Sequence, residues 1–90
     1  MNVRFTPRGW REYREWLSDD PKRLAKLNGL IEDVRRNPFR GLGKPEPLRG
    51  DHAGWWSRRI SDEHRLVYRV TGSGETAQVE IARCRDHYDD

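Results

Sequence analysis

The chain has 90 residues, of which 33% are hydrophobic and 37% are charged, and its formal net charge is +3. This length fits one domain over residues 1–90, and four tryptophans supply large apolar side chains for a small core. No stretch approaches the ~20 apolar residues of a membrane span, and residues 1–10 lack the apolar region of a signal peptide. A single cysteine, Cys84, excludes an internal disulfide framework and a cysteine-based zinc site. We therefore expect a soluble protein of the cytoplasm.

The first part of the chain predicts one strand and two helices. Residues 2–6 alternate apolar and polar side chains, which is typical of a short strand. Pro7 opens a predicted helix, in which helical spacing is shown by Trp10, Tyr13, Trp16 and Leu17. The aromatic stripe of the first three is expected to belong to the core. Asp20-Pro21 is a second helix start, and the apolar stripe that follows comprises Leu24, Leu27, Leu30, Ile31 and Val34. Asn37-Pro38 ends this helix.

The second part of the chain predicts a loop and three strands. Glycines and prolines alternate with other residues from Gly41 to Pro47, so this segment is expected to be loop. Strand-like segments follow at residues 55–60, 65–70 and 76–84. The order of elements predicts an α+β fold, in which two helices cover one face of a mostly antiparallel sheet and leave the other face free.

The alternation in the first two of these segments predicts their register. If their apolar residues face the helices, Ile60 lies opposite Leu66, and a turn of three or five residues includes residues 62–64. The free face then carries two neighbouring arginines beside a tryptophan, which suits a phosphate and a stacked base, and its members are Trp55, Arg59, Arg65, Val67 and Arg69. Arg58 falls on the helix side, where its charged end must extend outward at the edge unless the register differs.

Positive charge is concentrated in the middle of the chain. Residues 35–69 contain nine basic and four acidic side chains, a balance of +5. Most of the basic ones are arginines, whose planar guanidinium binds phosphates through paired hydrogen bonds and stacks on bases. The segment therefore indicates RNA or DNA as a partner, with a solvated charged surface as the alternative.

Cleavage of RNA is a reaction that such a surface could perform without a metal. The ribose 2′-OH is the nucleophile, so the protein has to supply a general base, a general acid and positive charge at the phosphate. Glu46 is the candidate base, because Pro45 and Pro47 restrict the backbone around it. The alternative is a rigid surface loop with an incidental glutamate. His87 is the candidate acid, because imidazole titrates near neutral pH, although a histidine so close to the chain end often lies in a frayed tail.

The other polar candidates carry weaker signals. Tyr88 could stack on a base or donate to a phosphate, or it could pack back on the protein. His52 and His64 each adjoin a turn signal and are expected to be turn or surface residues. Cys84 is expected to be a small buried residue at the end of a strand.

The sequence resembles the YoeB toxins of the RelE-like toxin superfamily over nearly its whole length. The resemblance is densest in five blocks that occur in the family's order: IEDVRRNPF (31–39), GLGKPEPL (41–48), WSRRI (56–60), EHRLVY (63–68) and CRDHY (84–88). It implies the fold of the RelE-like microbial ribonucleases and a toxin that cuts mRNA in the ribosomal A site. It also implies a YefM-type antitoxin as partner and a homodimer.

The resemblance also implies roles for individual residues. Glu46 matches the family's general base and His87 its general acid. Arg65 resembles the arginine that stabilises the scissile phosphate, and Tyr88 resembles the C-terminal tyrosine that helps to orient the substrate. Arg59 matches a basic residue near the phosphate, and Arg49 stands where the family has a basic residue. The candidate substrate-binding residues also include Lys44 of the basic segment and Trp55 of the free face. No cofactor or metal is expected.

Two other functions compete with that of an enzyme. A non-catalytic module could bind ribosomal RNA or mRNA through the same basic face, and the pair of Glu46 and His87 distinguishes the enzyme from it. A DNA-binding regulator would be expected to carry a helix–turn–helix signature, which the sequence does not show. Contact with operator DNA is therefore assigned to the complex with the antitoxin. An acidic, partly disordered antitoxin segment is expected to cover the basic face.

Overall fold

The computed structural model of the protein describes residues 1–86. Its helices and longer strands follow the predicted order: β1 (Asn2–Phe5), α1 (Pro7–Asp19), α2 (Pro21–Arg36), β2 (Glu46–Pro47), β3 (Trp56–Arg59), β4 (Arg65–Thr71) and β5 (Gln78–Arg83). Two short 3₁₀ turns span Gly50–His52 and Gly74–Thr76. The strands form a five-stranded sheet in the order β1-β5-β4-β3-β2. Only the β1–β5 pairing is parallel among these strands, so the predicted α+β class with a mostly antiparallel sheet is confirmed.

Both helices begin at the predicted signals. The hydroxyl of Thr6 accepts a hydrogen bond from the Gly9 N–H, and the carboxylate of Asp20 accepts one from the Arg23 N–H, so each helix has a side-chain cap followed by proline. A Cβ at Gly9 would lie 2.5 Å from the carbonyl oxygen of Ile81. Glycine at this position therefore lets α1 pack directly on β5.

The core lies between the helices and one face of the sheet. The predicted stripe of α2 is fully confirmed, since Leu24, Leu27, Leu30, Ile31 and Val34 are all buried. The stripe of α1 is only partly buried: Trp16 is 3% exposed, whereas Trp10 is 49% and Leu17 is 66% exposed. The prediction that Trp10 belongs to the core is therefore wrong. Its ring packs against Phe5 of the edge strand β1 and stacks on Tyr13, so it covers the margin of the sheet.

The segment predicted as a loop before β3 contains a short strand. Glu46 and Pro47 pair with Ser57 and Trp56 as β2, which forms one edge of the sheet. Proline lacks an N–H, but an edge strand tolerates this because its outer side donates to no neighbouring strand.

The register of β3 and β4 differs from the prediction by two residues. Arg58 lies opposite Leu66 and Arg59 lies opposite Arg65, whereas Ile60 was expected opposite Leu66. The predicted and the observed register put the same residues on the helix side, because a shift of two residues along a strand leaves every side chain on its original face. Residues 60–64 form a five-residue connection, one of the two predicted lengths. It is closed by hydrogen bonds from the N–H groups of Ile60 and Ser61 to the carbonyl oxygen of His64.

Candidate functional site

The sheet face opposite the helices brings together one carboxylate and two arginines of the predicted site. Glu46 lies opposite Ser57, and Arg59 lies opposite Arg65. Cross-strand partners and residues two apart point to the same face, so all four side chains share it. Strand spacing places the backbones of Glu46 and Arg65 on the order of 12 Å apart. This is a span across which a glutamate and an arginine can act on the same nucleotide.

The two arginines face each other directly across neighbouring strands. Their Cβ atoms are about 5 Å apart in such a pair, and like charges in this arrangement repel each other. The Arg59 side chain is exposed, and the backbone N–H of Arg59 donates to the carbonyl oxygen of Gly43 at 2.7 Å. Lys44 is also exposed and has a left-handed backbone conformation, with φ of 52°. Lys44 and Arg59 both line a pocket of about 410 Å³ between α2 and the segment before β2. Because α2 lines this pocket, it brings Lys44 near Arg59 at the margin of the sheet and not within the open face.

The guanidinium of Arg65 lies against the connection between β3 and β4. Its Nη1 donates to the carbonyl oxygens of Ser61, Asp62 and His64, at 2.6, 3.2 and 3.1 Å. The N–H of Arg65 donates to the carbonyl oxygen of Asp86 at 3.1 Å. The chain therefore returns to the start of β4 just before its last residues. The predicted acid His87 and the predicted Tyr88 lie outside the described residues.

Trp55 lies at the other end of the open face. The guanidinium carbon of Arg69 is 4.5 Å from the centroid of the Trp55 ring, and the Nε of Arg69 donates to Glu80 at 2.7 Å. Arg49 precedes the 3₁₀ turn at this same end and is exposed. Trp55 shares the open face with the arginines, as predicted, and the one that its ring contacts is Arg69. The register puts Trp55 next to Arg69, about 13 Å along the strand from Arg59.

Arg58 lies on the helix side of the sheet, as the alternation predicted, but its charged end is not where the sequence analysis expected it. Its side chain does not extend outward at the edge of the sheet; it is completely buried between the sheet and α2. Its Nε donates to the Tyr68 hydroxyl, and Nη1 donates to the Asp33 carboxylate and to the carbonyl oxygen of Leu42. Its Nη2 donates to two further carbonyl oxygens, those of Asn37 and Arg40. These five acceptors compensate the burial of the charge.

The Arg58 cluster organises the segment that leads to Glu46. Hydrogen bonds from Arg58 reach three carbonyl oxygens in residues 37–42, and the Tyr68 hydroxyl donates to a fourth, that of Pro38. The hydrogen bond from Arg58 lowers the pKa of Asp33, and burial raises the pKa of Tyr68. At Gly41, where φ is 125°, a Cβ would lie 2.1 Å from the Asp33 carboxylate, so glycine is required there.

The last described residues are held by α1. One carboxylate oxygen of Glu12 accepts hydrogen bonds from the N–H groups of Cys84 and Arg85, at 2.8 and 3.2 Å. The indole N–H of Trp16 donates to the carbonyl oxygen of Cys84 at 2.9 Å. Cys84 is completely buried just after β5, as predicted, and burial raises the pKa of its thiol to about 12. Glu12 is buried, a role that neither charge nor periodicity predicted.

Within residues 1–86, no group of three or more His, Cys, Asp or Glu side chains is arranged to hold a metal ion. In the same part of the chain, neither helix combines the length and the apolar character that crossing a membrane requires.

Residues 5–88 match the family of YoeB-like toxins of bacterial type II toxin–antitoxin systems. The sequence is 49% identical to toxin YoeB of Streptomyces coelicolor, over 98% of this chain and 100% of that protein. A YoeB/ParE toxin from Agrobacterium tumefaciens superposes with a TM-score of 0.93 at 51% identity, over 98% of this chain and 100% of that one. YoeB of Staphylococcus aureus, solved as a dimer and in complex with YefM, superposes with a TM-score of 0.85 over 98% of both chains, at 38% and 37% identity. These similarities confirm the resemblance found in the sequence.

Proposed function

The chain belongs to the YoeB-like toxin family of bacterial type II toxin–antitoxin systems, and on this premise we propose that it is an endoribonuclease that cleaves mRNA in the ribosomal A site. The observation that carries the proposal is the pair of Arg59 and Arg65, directly opposite each other on the same sheet face as Glu46. The guanidinium of Arg65 is oriented by carbonyl oxygens of residues 61–64, and Arg59 is exposed opposite it, so an anion between them would contact two cationic side chains. A phosphodiester fits this description.

The proposed reaction uses the substrate's own ribose as the nucleophile. Glu46 takes the proton of the 2′-OH, and the 2′ oxygen attacks the adjacent phosphorus. Arg65 and Arg59 stabilise the extra negative charge on the phosphate in the transition state. The bond from phosphorus to the 5′ oxygen then breaks, and His87 donates a proton to the leaving oxygen. The products are a 2′,3′-cyclic phosphate and a free 5′-OH, and the step needs no metal.

The remaining predicted residues bind or orient the substrate in this proposal. Tyr88 orients the nucleotide at the cleaved bond. Lys44 adds positive charge beside Arg59, with which it lines one pocket. At the far end of the face, Trp55 and Arg49 hold flanking parts of the RNA, since an aromatic ring and basic side chains bind single strands without reading their sequence.

Two partners follow from the relatives. YoeB of Staphylococcus aureus has been solved as a dimer and in complex with YefM. We propose a homodimer and a YefM-type antitoxin for this chain as well. An acidic antitoxin segment would neutralise the exposed arginines of the open face. In this proposal the protein acts as one domain in the cytoplasm, where its substrate is, and meets operator DNA only through the antitoxin complex.

Mapping of mRNA cut sites during cell-free translation tests the proposal. Wild type is expected to produce new 5′ ends at A-site codons. Glu46→Gln should lower the rate about 10²–10⁴-fold, because it removes the base while keeping size and shape. Glu75→Gln is the matched control, since Glu75 is an exposed glutamate in the second 3₁₀ turn. Cleavage by Glu46→Gln at the wild-type rate would exclude Glu46 as the base.

The alternative function is a basic module that binds the ribosome without cutting. It predicts inhibited translation with no new mRNA ends, and equal inhibition by wild type and Glu46→Gln. If the protein is an enzyme, Glu46→Gln should still sediment with ribosomes but should no longer inhibit translation. The same translation assay therefore separates the two functions.

A further inference from the structure

We infer that His64 is a positioning residue, whose neutral ring fixes the backbone of Asp86 beside Arg65 and releases it on protonation. The inference rests on the proposed function, because Asp86 immediately precedes the proposed acid His87 in the sequence. It assigns His64 no contact with the substrate. His64 was expected to be a turn or surface residue, and it does lie in the connection between β3 and β4, but its side chain is only 13% exposed.

The backbone of Asp86 is bound by two consecutive residues. Its N–H donates to Nδ1 of His64 at 2.8 Å, and its carbonyl oxygen accepts the N–H of Arg65 at 3.1 Å. Asp86 has a φ of 62°, a left-handed conformation that aspartate tolerates better than most residues other than glycine. The two hydrogen bonds hold its backbone in this conformation. They determine where the backbone of Asp86 lies relative to Arg65.

The hydrogen bond to Asp86 requires the neutral ring. Nδ1 can accept only when it carries no proton, so the single proton of the imidazole must be on Nε2. Protonation would turn Nδ1 into a donor facing the Asp86 N–H, and the bond would be lost. The protonated Nδ1 would instead be attracted to the Asp86 carboxylate, whose Oδ1 lies 3.8 Å from Nδ1. The backbone of Asp86 would then have to move.

The surroundings of His64 favour the neutral ring near neutral pH. Its ring packs edge-on against Trp16 of α1, with the ring centroids 4.8 Å apart. Burial lowers the pKa of His64, and the charges of Arg23 and Arg85 act in the same direction. The carboxylates of Asp86 and Glu63 oppose this shift without reversing it. The bond to Asp86 is therefore expected to persist at pH 7 and to break at lower pH.

The rest of the segment does not depend on His64. The backbone of Cys84 and Arg85 is held by Glu12 and Trp16, and the guanidinium of Arg85 pairs with Asp19 at 2.8 Å. Loss of the His64 hydrogen bond should therefore release Asp86 while β5 and the core stay intact. This confines the expected effect to the chain end.

Two complementary substitutions separate the hydrogen bond from the packing of the ring. His64→Phe keeps an aromatic ring against Trp16 but has no acceptor. His64→Asn loses the ring but places a carbonyl oxygen close to the position of Nδ1, and this oxygen does not titrate. We expect His64→Phe to lower single-turnover cleavage of ribosome-bound mRNA about tenfold to a hundredfold with unchanged ribosome binding. His64→Asn should cleave within about threefold of wild type. As the pH is lowered through the depressed pKa of His64, wild type should lose activity more steeply than His64→Asn.

Hydrogen exchange of the Asp86 amide, measured by NMR on the full chain without RNA, gives a readout that does not depend on cleavage. The amide should be protected in wild type and His64→Asn and unprotected in His64→Phe. Protection retained in His64→Phe, or cleavage by His64→Phe at the wild-type rate, would overturn the inference. If wild type itself failed to cleave mRNA, the proposed function would fall, and the amide data would still decide whether His64 holds Asp86.

Discussion

Arg58 of β3 and Asp33 of α2 form an ion pair beneath the open face of the sheet, with Nη1 and Oδ2 2.5 Å apart. The arginine is completely buried, whereas the aspartate side chain is 23% exposed. The pair joins a helix, a strand and the segment that leads to Glu46, because the same guanidinium binds carbonyl oxygens of residues 37–42. Stability and the position of the proposed base therefore depend on one buried charge.

Replacement of Arg58 should strongly destabilise the protein. Arg58→Met would leave the Asp33 carboxylate and several carbonyl oxygens without their donor, and removing one partner of a buried pair costs about 3–5 kcal/mol. Arg59→Met is the matched control, since the neighbouring arginine is exposed on the opposite face and should change stability by only about 0.5 kcal/mol. Urea unfolding followed by tryptophan fluorescence measures both. Equal, small losses would show that the buried cluster contributes little.

The ion pair should also make stability depend on pH in the acid range. The pKa of Asp33 is lowered from its ordinary value of 3.8, mainly by the hydrogen bond from Arg58. The unfolded chain therefore takes up this proton more readily, so the stabilisation is present above pH 3.8 and is lost as pH falls through the lowered pKa of the folded state. Asp33→Asn should be less stable than wild type at pH 7, and the difference should shrink towards pH 2, as measured by urea unfolding. A constant difference would argue against the pair.

Cys84 should be unreactive in the folded protein. Its side chain is completely buried, and the pKa of its thiol is raised to about 12, mainly by burial. The thiolate, which is the reactive form, is therefore scarce at pH 8. Labelling with a thiol reagent should be slow in buffer and fast in concentrated urea. Rapid labelling of the folded chain would mean that the segment after β5 opens readily.

Trp55 should contribute to RNA binding and not to the chemical step. Stacking of a base on an aromatic ring is worth about 1–3 kcal/mol, so Trp55→Ala should raise KM about tenfold and leave kcat nearly unchanged. Trp10→Ala is the control, because Trp10 is an exposed tryptophan on α1 that packs beside β1, away from the open face. Single-turnover cleavage across a range of toxin concentrations separates the two constants. A fall in kcat alone would place Trp55 in the reaction.

Local signals predicted the helices and the faces of the sheet. Capping residues followed by proline set both helix starts, and alternation in residues 56–60 and 65–70 correctly assigned the side chains to two faces. Alternation has a period of two, so it could not distinguish a pairing of Leu66 with Ile60 from the observed pairing with Arg58.

The burial of Arg58 could not be predicted from its neighbours in the sequence. An arginine in a strand is normally expected at the surface, and this one is buried because acceptors from distant positions converge on it. They come from α2, from β4 and from residues 37–42, and only the folded chain brings them together. The hydrogen bond from Asp86 to His64 likewise joins residues 22 positions apart. Such contacts leave no periodic signal.

The nucleophile is the central claim of the proposed mechanism, and a single substituted nucleotide tests it. Once the cut site in a translated mRNA is mapped, the nucleotide on its 5′ side is replaced by the 2′-deoxy form. The mechanism predicts that cleavage at this bond disappears, while an unmodified mRNA is cut to a 2′,3′-cyclic phosphate and a 5′-OH. Cleavage of the 2′-deoxy mRNA at the same bond would contradict it.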